Sequence, residues 1–442
     1  MKRRSFLPTV CLGLACLIAA CADAANTPPA GGGSSASGAP ARSARLSQSG
    51  SASDGAPASS DGASTSVLPA AAMNSELLKG LIAKANQEGS LSVETVDSVL
   101  PASESVKKAF LQYFQPMGLK LDVQFAGGPS QTAAWENAQT AINSGSAPQF
   151  DLLLGNGAPQ VYPFLSITAP IDNWQALLKV VNPDAASGQS KVEDYSPAPF
   201  TGQALLFCDY YSVLAYSTQV STDSLPSKLS DLADPKYNGR FVVSAYSTDS
   251  LFKLVVVYGK DKALEIAEGI GANEAGVEAS AAGIQDILAR SIDFEWEPID
   301  NVLTQKALNA DVPLDYKWFT DVTPFEQQFY AVPLESKHPA AATLFALWST
   351  TDVARTSYVP TRIWLNLSTG HTANDEAVKK TLDDLKPEVV SLTSTEGLPT
   401  LKFLDTAEGK AYSDAFSQAL TKRNGALLQE QPILLSSKPS QP

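Results

Sequence analysis

The chain has little with which to do nucleophilic or metal chemistry. Of its 442 residues two are histidines, His338 and His371, and four are cysteines. No G-x-S-x-G elbow, H-E-x-x-H, C-x-x-C or P-loop pattern occurs. Carboxylate pairs such as Asp383-Asp384 fall on helical patterns, where they read as a solvated face. Catalysis through Asp, Glu or Tyr is therefore disfavoured, though not excluded. Positive charge is also scarce. With 32 Lys and Arg against 46 Asp and Glu, the net charge is −14, or −17 without Lys2, Arg3 and Arg4. That excess argues against nucleic acid and anionic membrane surfaces as partners and permits a cationic ligand.

Those three cations open a targeting segment. Residues 6–20 are apolar except Thr9, and small Ala19 and Ala20 precede Cys21. The apolar run is shorter than the roughly 20 residues of a spanning helix, so it reads as a secretory signal over residues 1–20. Leu17-Ile18-Ala19-Ala20-Cys21 resembles a bacterial lipobox, which implies cleavage before Cys21 and its acylation. The alternative is a plain signal peptide cut near Ala22 or Ala25. Cys11 and Cys16 leave with the signal, and an acylated Cys21 leaves only Cys208. The exported chain would then hold no internal disulfide and no thiolate metal cluster. Cys208 sits in an apolar run after Leu205, Leu206 and Phe207 and reads as an inert buried thiol. Residues 22–73 are Ala, Gly, Ser and Pro with almost no large apolar side chain. Such a segment cannot offset its ordering entropy and is expected as a disordered tether with a reach of about 40 Å.

Residues 74 to about 423 are too many for one core and point to two lobes. Their pattern alternates between α and β. Helices are expected over 76–88, 104–114 (capped by Ser103), 132–144, 262–269, 279–289, 301–310, 339–348, 375–385 and 408–422. Strands are expected over 91–96, 119–125, 150–154, 205–216, 241–243, 292–296 and 329–333. Pro339 suits the first turn of its helix, with His338 exposed before it. Alternating elements imply a parallel or mixed sheet covered on both faces. The runs 205–216 and 312–333 read as two strands crossing between the lobes. Residues 429–442 are Pro/Ser-rich and read as a frayed tail.

The stretch 230–259, SDLADPKYNGRFVVSAYSTDSLFKLVVVYG, holds one complete βα unit. Asp234-Pro235 stops what precedes it, and Asn238-Gly239 turns the chain. Phe241-Val242-Val243 is a buried strand. A small polar loop follows, and Asp249 or Ser250 can cap the next helix. In open α/β sheets, ligands sit beyond the carboxyl ends of such strands.

This stretch resembles the "DL.DPKYKG" segment of bacterial extracellular solute-binding proteins of ABC importers, in the type 2 group that includes ferric-iron, polyamine and phosphonate binders. Leu91-Ser92-Val93 after Glu88-Gly89 is similar to that family's "EEG.L.VY" strand. GSAPQFDLL over 145–153 is similar to its "G..PD.D" approach, and SVLAYST over 212–218 to its "G..YNT" strand. AAATLFALWSTTDVARTSY over 340–358 is similar to its "AA..F..FL.S.E.Q" helix, with Thr351-Asp352-Val353 where Pro-Glu-Gly is usual. The resemblance spans about 77–360. It implies an α/β, two-lobed type 2 periplasmic binding protein fold, hinged on two crossing strands and closing on a ligand. Lobe 1 would comprise 74–208 and 329–428, and lobe 2 would comprise 209–328.

Strand ends would then supply the ligand site: Asp97, Ser98, Gly155 and Asn156 from lobe 1, and Ser244, Tyr246, Ser247, Thr248, Trp296, Asp300 and Asn301 from lobe 2. Hydroxyls and amides offer donors and acceptors, Trp296 a stacking face, and Asp97 and Asp300 a negative charge. Each also has a plain structural reading, as a core aromatic or a loop cap. Tyr210-Tyr211 is the only adjacent tyrosine pair, but adjacent strand residues face opposite ways, so no iron ligands are assigned. The expectation is a monomeric, lipid-anchored periplasmic or cell-surface protein, without cofactor or catalysis. It would capture a small solute and deliver it to an inner-membrane ABC permease. The alternatives are a solute-sensing receptor domain and a secreted hydrolase with a carboxylate dyad.

Overall fold

A computed structural model describes residues 68–127, 131–245, 252–278, 280–359 and 361–421 of the chain. The signal segment, Cys21, most of the tether, the caps Asp249 and Ser250 and the 429–442 tail lie outside the described residues.

Ten strands occur among the described residues: β1 (Ser90–Thr95), β2 (Asp122–Gly127), β3 (Leu153–Asn156), β4 (Ala204–Ser217), β5 (Phe241–Ser244), β6 (Gly276–Glu278), β7 (Phe294–Pro298), β8 (Leu314–Lys317), β9 (Val322–Ala331) and β10 (Glu388–Val390). β1 and β2 pair in parallel, and a single bridge, Val93 to Leu152, sets β1 beside the start of β3. The other eight strands form one mixed sheet in the order β10-β9-β4-β7-β5-β6, with β3 also on β9 and β8 also on β4.

β4 and β9 tie this sheet together. The first half of β4, from Ala204 to Tyr211, pairs antiparallel with β9, and Ser212 to Tyr216 pairs with β7. Every residue of both strands is buried. A strand covered on both faces needs a near-continuous apolar run, which is how 205–216 reads. Its side chains serve different cores. Leu205 and Phe207 pack with Val93, Phe345 and Trp348, whereas Leu214 and Tyr216 pack with Phe241, Phe294 and Trp296. A bulge between Leu206 and Cys208 shifts the register midway along the pairing.

Local chemistry sets most helix ends. Glu76–Glu88 begins where the Ser75 hydroxyl accepts from the Leu78 N–H at 3.3 Å. It stops at Gly89, whose φ of 76° lies in the left-handed region. Ser103 does not cap the next helix. A 3-10 turn over Asp97–Ala102 runs straight into Ser103–Phe114, so Ser103 is already helical and makes no cap bond. His338 is half-buried rather than exposed. Its Nδ1 lies 2.8 Å from an Asp151 carboxylate oxygen and its Nε2 2.9 Å from the Ser90 hydroxyl. These bonds fasten the start of Pro339–Ser349 to β1 and to the approach to β3.

Several elements carry no expectation from the sequence. Trp174–Val181 is a helix following Asn173, and Pro183–Ser187 is a short one capped by the Asn182 side chain. The region 366–401 holds the expected helix, observed as Ala373–Leu385, and more besides. It also contains β10, which extends the sheet in parallel with β9, and a buried Asn366. Ala407–Leu420 lies so close to Lys260–Asn273 that a Cβ on Gly271 would overlap the Ala419 carbonyl. The ordered chain also begins before residue 74: Leu68 and Ala72 are already buried in the core.

Candidate functional site

A cleft opens where strand ends from the two sides of the sheet meet the strands that join them. Val96 and Ser98 follow β1, Asn156 ends β3 and Pro298 ends β7. Tyr210 of β4 and Gln328 of β9 reach it from the joining strands. Arg362 and Trp364 reach it from the irregular segment after Asp352–Thr356. The cavity these residues line measures about 30 Å³, water-sized in its enclosed part.

Its polar groups form a directed chain. Cys208 is fully buried, and burial first, then the charges of Asp300 and Asp209, push its thiol well above the ordinary value. It stays an S–H and donates to Gln328 Oε1 at 3.3 Å. Gln328 Nε2 therefore points at Asn156 and donates to its Oδ1 at 2.8 Å. The Tyr210 hydroxyl donates to the same oxygen at 3.2 Å. Behind the opposite wall, Asp300 is wholly buried and its Oδ2 takes the Nη2 of Arg362 at 2.5 Å. The Arg362 guanidinium carbon lies 4.8 Å from the centre of the Trp364 ring, which supports the group from below.

A second charged contact braces the joining strands. Lys253, on the helix Lys253–Tyr258, pairs with Glu326 of β9, and both side chains are buried. Gly157 makes room for that carboxylate: with φ of 110°, a Cβ there would lie 2.8 Å from Glu326 Oε2. The position thus needs glycine for both conformation and space.

The expected site residues fall in several places. Ser98 and Asn156 line the cleft. Gly155 sits beside it, where a Cβ would collide with Val161. Asp97 is exposed and its carboxylate covers Gly127. Ser244 is fully buried at the end of β5. Trp296 is wholly buried in the core, its ring packed among Phe241 and Phe294. Asn301 is 9% exposed and donates to Glu297. Tyr246, Ser247 and Thr248 lie outside the described residues. Asp97 and Asp300 do not meet across the cleft, and Asp300 is spent on Arg362. Tyr210 and Tyr211 do point to opposite faces, with Tyr211 stacked on Phe325 at 4.9 Å. Among the described residues no group of three or more His, Cys, Asp or Glu is placed to hold a metal ion.

Tyr210, Gln328, Arg362 and Trp364 were not anticipated as site residues. For Tyr210 a signal existed in the tyrosine pair. Gln328 sits in Glu326-Gln327-Gln328, three consecutive polar residues in a strand buried throughout, which marks it as unusual. Arg362 and Trp364 belong to no periodic pattern.

Comparison with known proteins gives a fold. No family model matches the chain, and no curated protein matches it. Solved structures do. Iron-bound HitA from Pseudomonas aeruginosa aligns with a TM-score of 0.57 at 15% identity, over 75% of this chain and 99% of that one. An ABC transporter substrate-binding protein from Bradyrhizobium japonicum aligns with a TM-score of 0.55 at 12% identity, over 75% and 99% of the two chains. The periplasmic binding protein AfuA from Actinobacillus pleuropneumoniae, with fructose-6-phosphate bound, gives 0.52 at 15% identity, over 76% and 97%. The mixed sheet threaded by β4 and β9, together with these alignments, makes this the α/β fold of the two-lobed periplasmic solute-binding proteins.

Proposed function

We propose that this protein is the solute-capturing component of an ABC-type importer, holding a small solute in the cleft and passing it to a membrane permease. One observation carries the reading. The cleft is walled by strand ends from both sides of the sheet and floored by the two strands that join them, so whatever binds there touches both sides and the hinge. The fold places it among proteins whose named ligands include iron in HitA and fructose-6-phosphate in AfuA. These ligands differ too much to be carried across. The permease partner, export to the periplasm or cell surface, anchoring through lipidated Cys21, a monomeric state and the absence of catalysis are parts of the same proposal. The sequence layout of residues 1–73 supports export and anchoring.

A thermal-shift screen of the full chain against metals, polyamines, sugars, phosphonates and amino acids tests it. A solute at 100 times its Kd stabilises the folded state by about 2.7 kcal/mol. The expected result is one responding class, a smaller radius of gyration by X-ray scattering when it is added, and no turnover. Conversion of the solute to product, or a response without compaction, would refute capture by closure.

A further inference from the structure

The polarity of the cleft points to the charge of its occupant. The chain as a whole is strongly acidic, but the cleft is not. Among the described residues that line it, Arg362 is the one formal charge and none is a carboxylate; the exposed Asp97 beside it turns its carboxylate onto Gly127. Asp300 lies fully buried behind Arg362 and engages its Nε and Nη2. A guanidinium carries five N–H donors in a planar fork, and one carboxylate oxygen cannot use them all. The pair is therefore a dipole with its positive end at the cleft, since Arg362 keeps 15% side-chain exposure and Asp300 none.

The amide of Asn156 is turned the same way. Cys208 donates to Gln328 Oε1, which directs Gln328 Nε2 to Asn156 Oδ1, and the Tyr210 hydroxyl also donates to that oxygen. With its acceptor doubly occupied, Asn156 has only Nδ2 to offer, and no described residue accepts from it. Ser98 adds a hydroxyl on the same wall as Asn156. A cleft that shows an arginine fork, an amide N–H₂ and a hydroxyl, with its carboxylate hidden, presents mainly donors and no anionic acceptor.

Resting on the capture reading above, we propose that the solute is a small oxyanion, carboxylate or phosphate in chemistry, held by Arg362 and by Asn156 Nδ2. A charge-assisted bond from the fork and a second from the amide match two oxygens of one acid group. A polyamine would meet a cation and no lining carboxylate. A neutral sugar would make no use of the positive end that the Arg362–Asp300 pair turns to the cleft.

The test is calorimetric titration of the full-length protein with citrate, succinate, inorganic phosphate, spermidine and glucose. It is repeated on Asn156→Asp and on the double variant Arg362→Gln/Asp300→Asn. The double variant removes both charges together, so that no buried carboxylate is stranded; unfolding midpoints report whether each variant is folded. Binding of citrate or succinate, weakened at least 10-fold in both variants, supports the carboxylate source. The same pattern with phosphate supports the phosphate source. Binding of spermidine or glucose alone, or oxyanion binding that both folded variants retain, overturns the inference and leaves solute capture standing. Silence toward all five probes overturns the inference, and only a wider solute screen without response would take the capture reading with it.

Discussion

At the scale of single residues, the site divides into what strand-end reasoning reaches and what it misses. That Asn156 and Ser98 line the cleft was legible because each follows a strand at its carboxyl end, where α/β sheets receive ligands. Tyr210 and Gln328 were not, because they lie in mid-strand. A run buried on both faces gives no sign of which alternate residue meets a cleft. Trp296 shows the opposite effect, since a strand-end aromatic can serve the core just as well. One residue of β1 makes a prediction of its own. Burial pushes the Glu94 carboxyl up to about 8 from an ordinary 4.5, and the Leu154 N–H donating to it pulls it partway back. Between those values the folded chain keeps a proton that the unfolded chain releases. The stabilisation is complete below pH 4.5 and is lost as pH rises through 8, by at most about 1.4 kcal/mol per unit. Glu94→Gln keeps the shape without the titration. Its urea midpoint should fall less between pH 5 and pH 8 than that of the parent, and identical slopes would clear Glu94. Glu295, raised by burial and then by Glu297, works with the same sign and accounts for slope that remains.

At the scale of elements, long amphipathic helices and buried strands were readable, and short or irregular pieces were not. The helix Glu76–Glu88 has both a polar cap and a stop glycine, so both its ends were fixed by local chemistry. The strand β4 runs from 204 to 217, close to the 205–216 reading. β10 has three residues and exists only because β9 offers it an edge, a tertiary cause that no local pattern carries. The close pairing of Ala407–Leu420 with Lys260–Asn273 was equally hidden, since nothing in the glycine's neighbours announces it. It yields a direct expectation. Gly271→Ala forces the helices apart against the Ala419 carbonyl. It should cost about 2 kcal/mol, the usual scale of overpacking. A denaturation midpoint equal to the parent's would show that the helices separate freely.

At the scale of the whole molecule, the two-sided organisation was legible from length and from α/β alternation, and the resemblance supplied the crossing strands. What sequence could not supply was the state of the cleft, because closure depends on distances between residues 100 or more positions apart. With a cavity of about 30 Å³, the proposed capture of a larger solute would require the walls to part. Hydrogen exchange should therefore respond at a distance. Adding the responding solute should slow exchange in peptides covering 153–156, 208–212 and 326–328 together, while 76–88 stays unchanged. Protection confined to one of the three would mean that the solute touches a single wall.

β4 and β9 share a ladder of backbone hydrogen bonds, with no exposed residue in either strand. Two ribbons laced in this way resist shear, because sliding would break many bonds at once, but they tolerate bending and twist. The walls on either side can accordingly swing, and they cannot drift. Under the proposed capture, the arrival of one molecule would become rotation about a single line, and the bulge before Cys208 offsets that line midway.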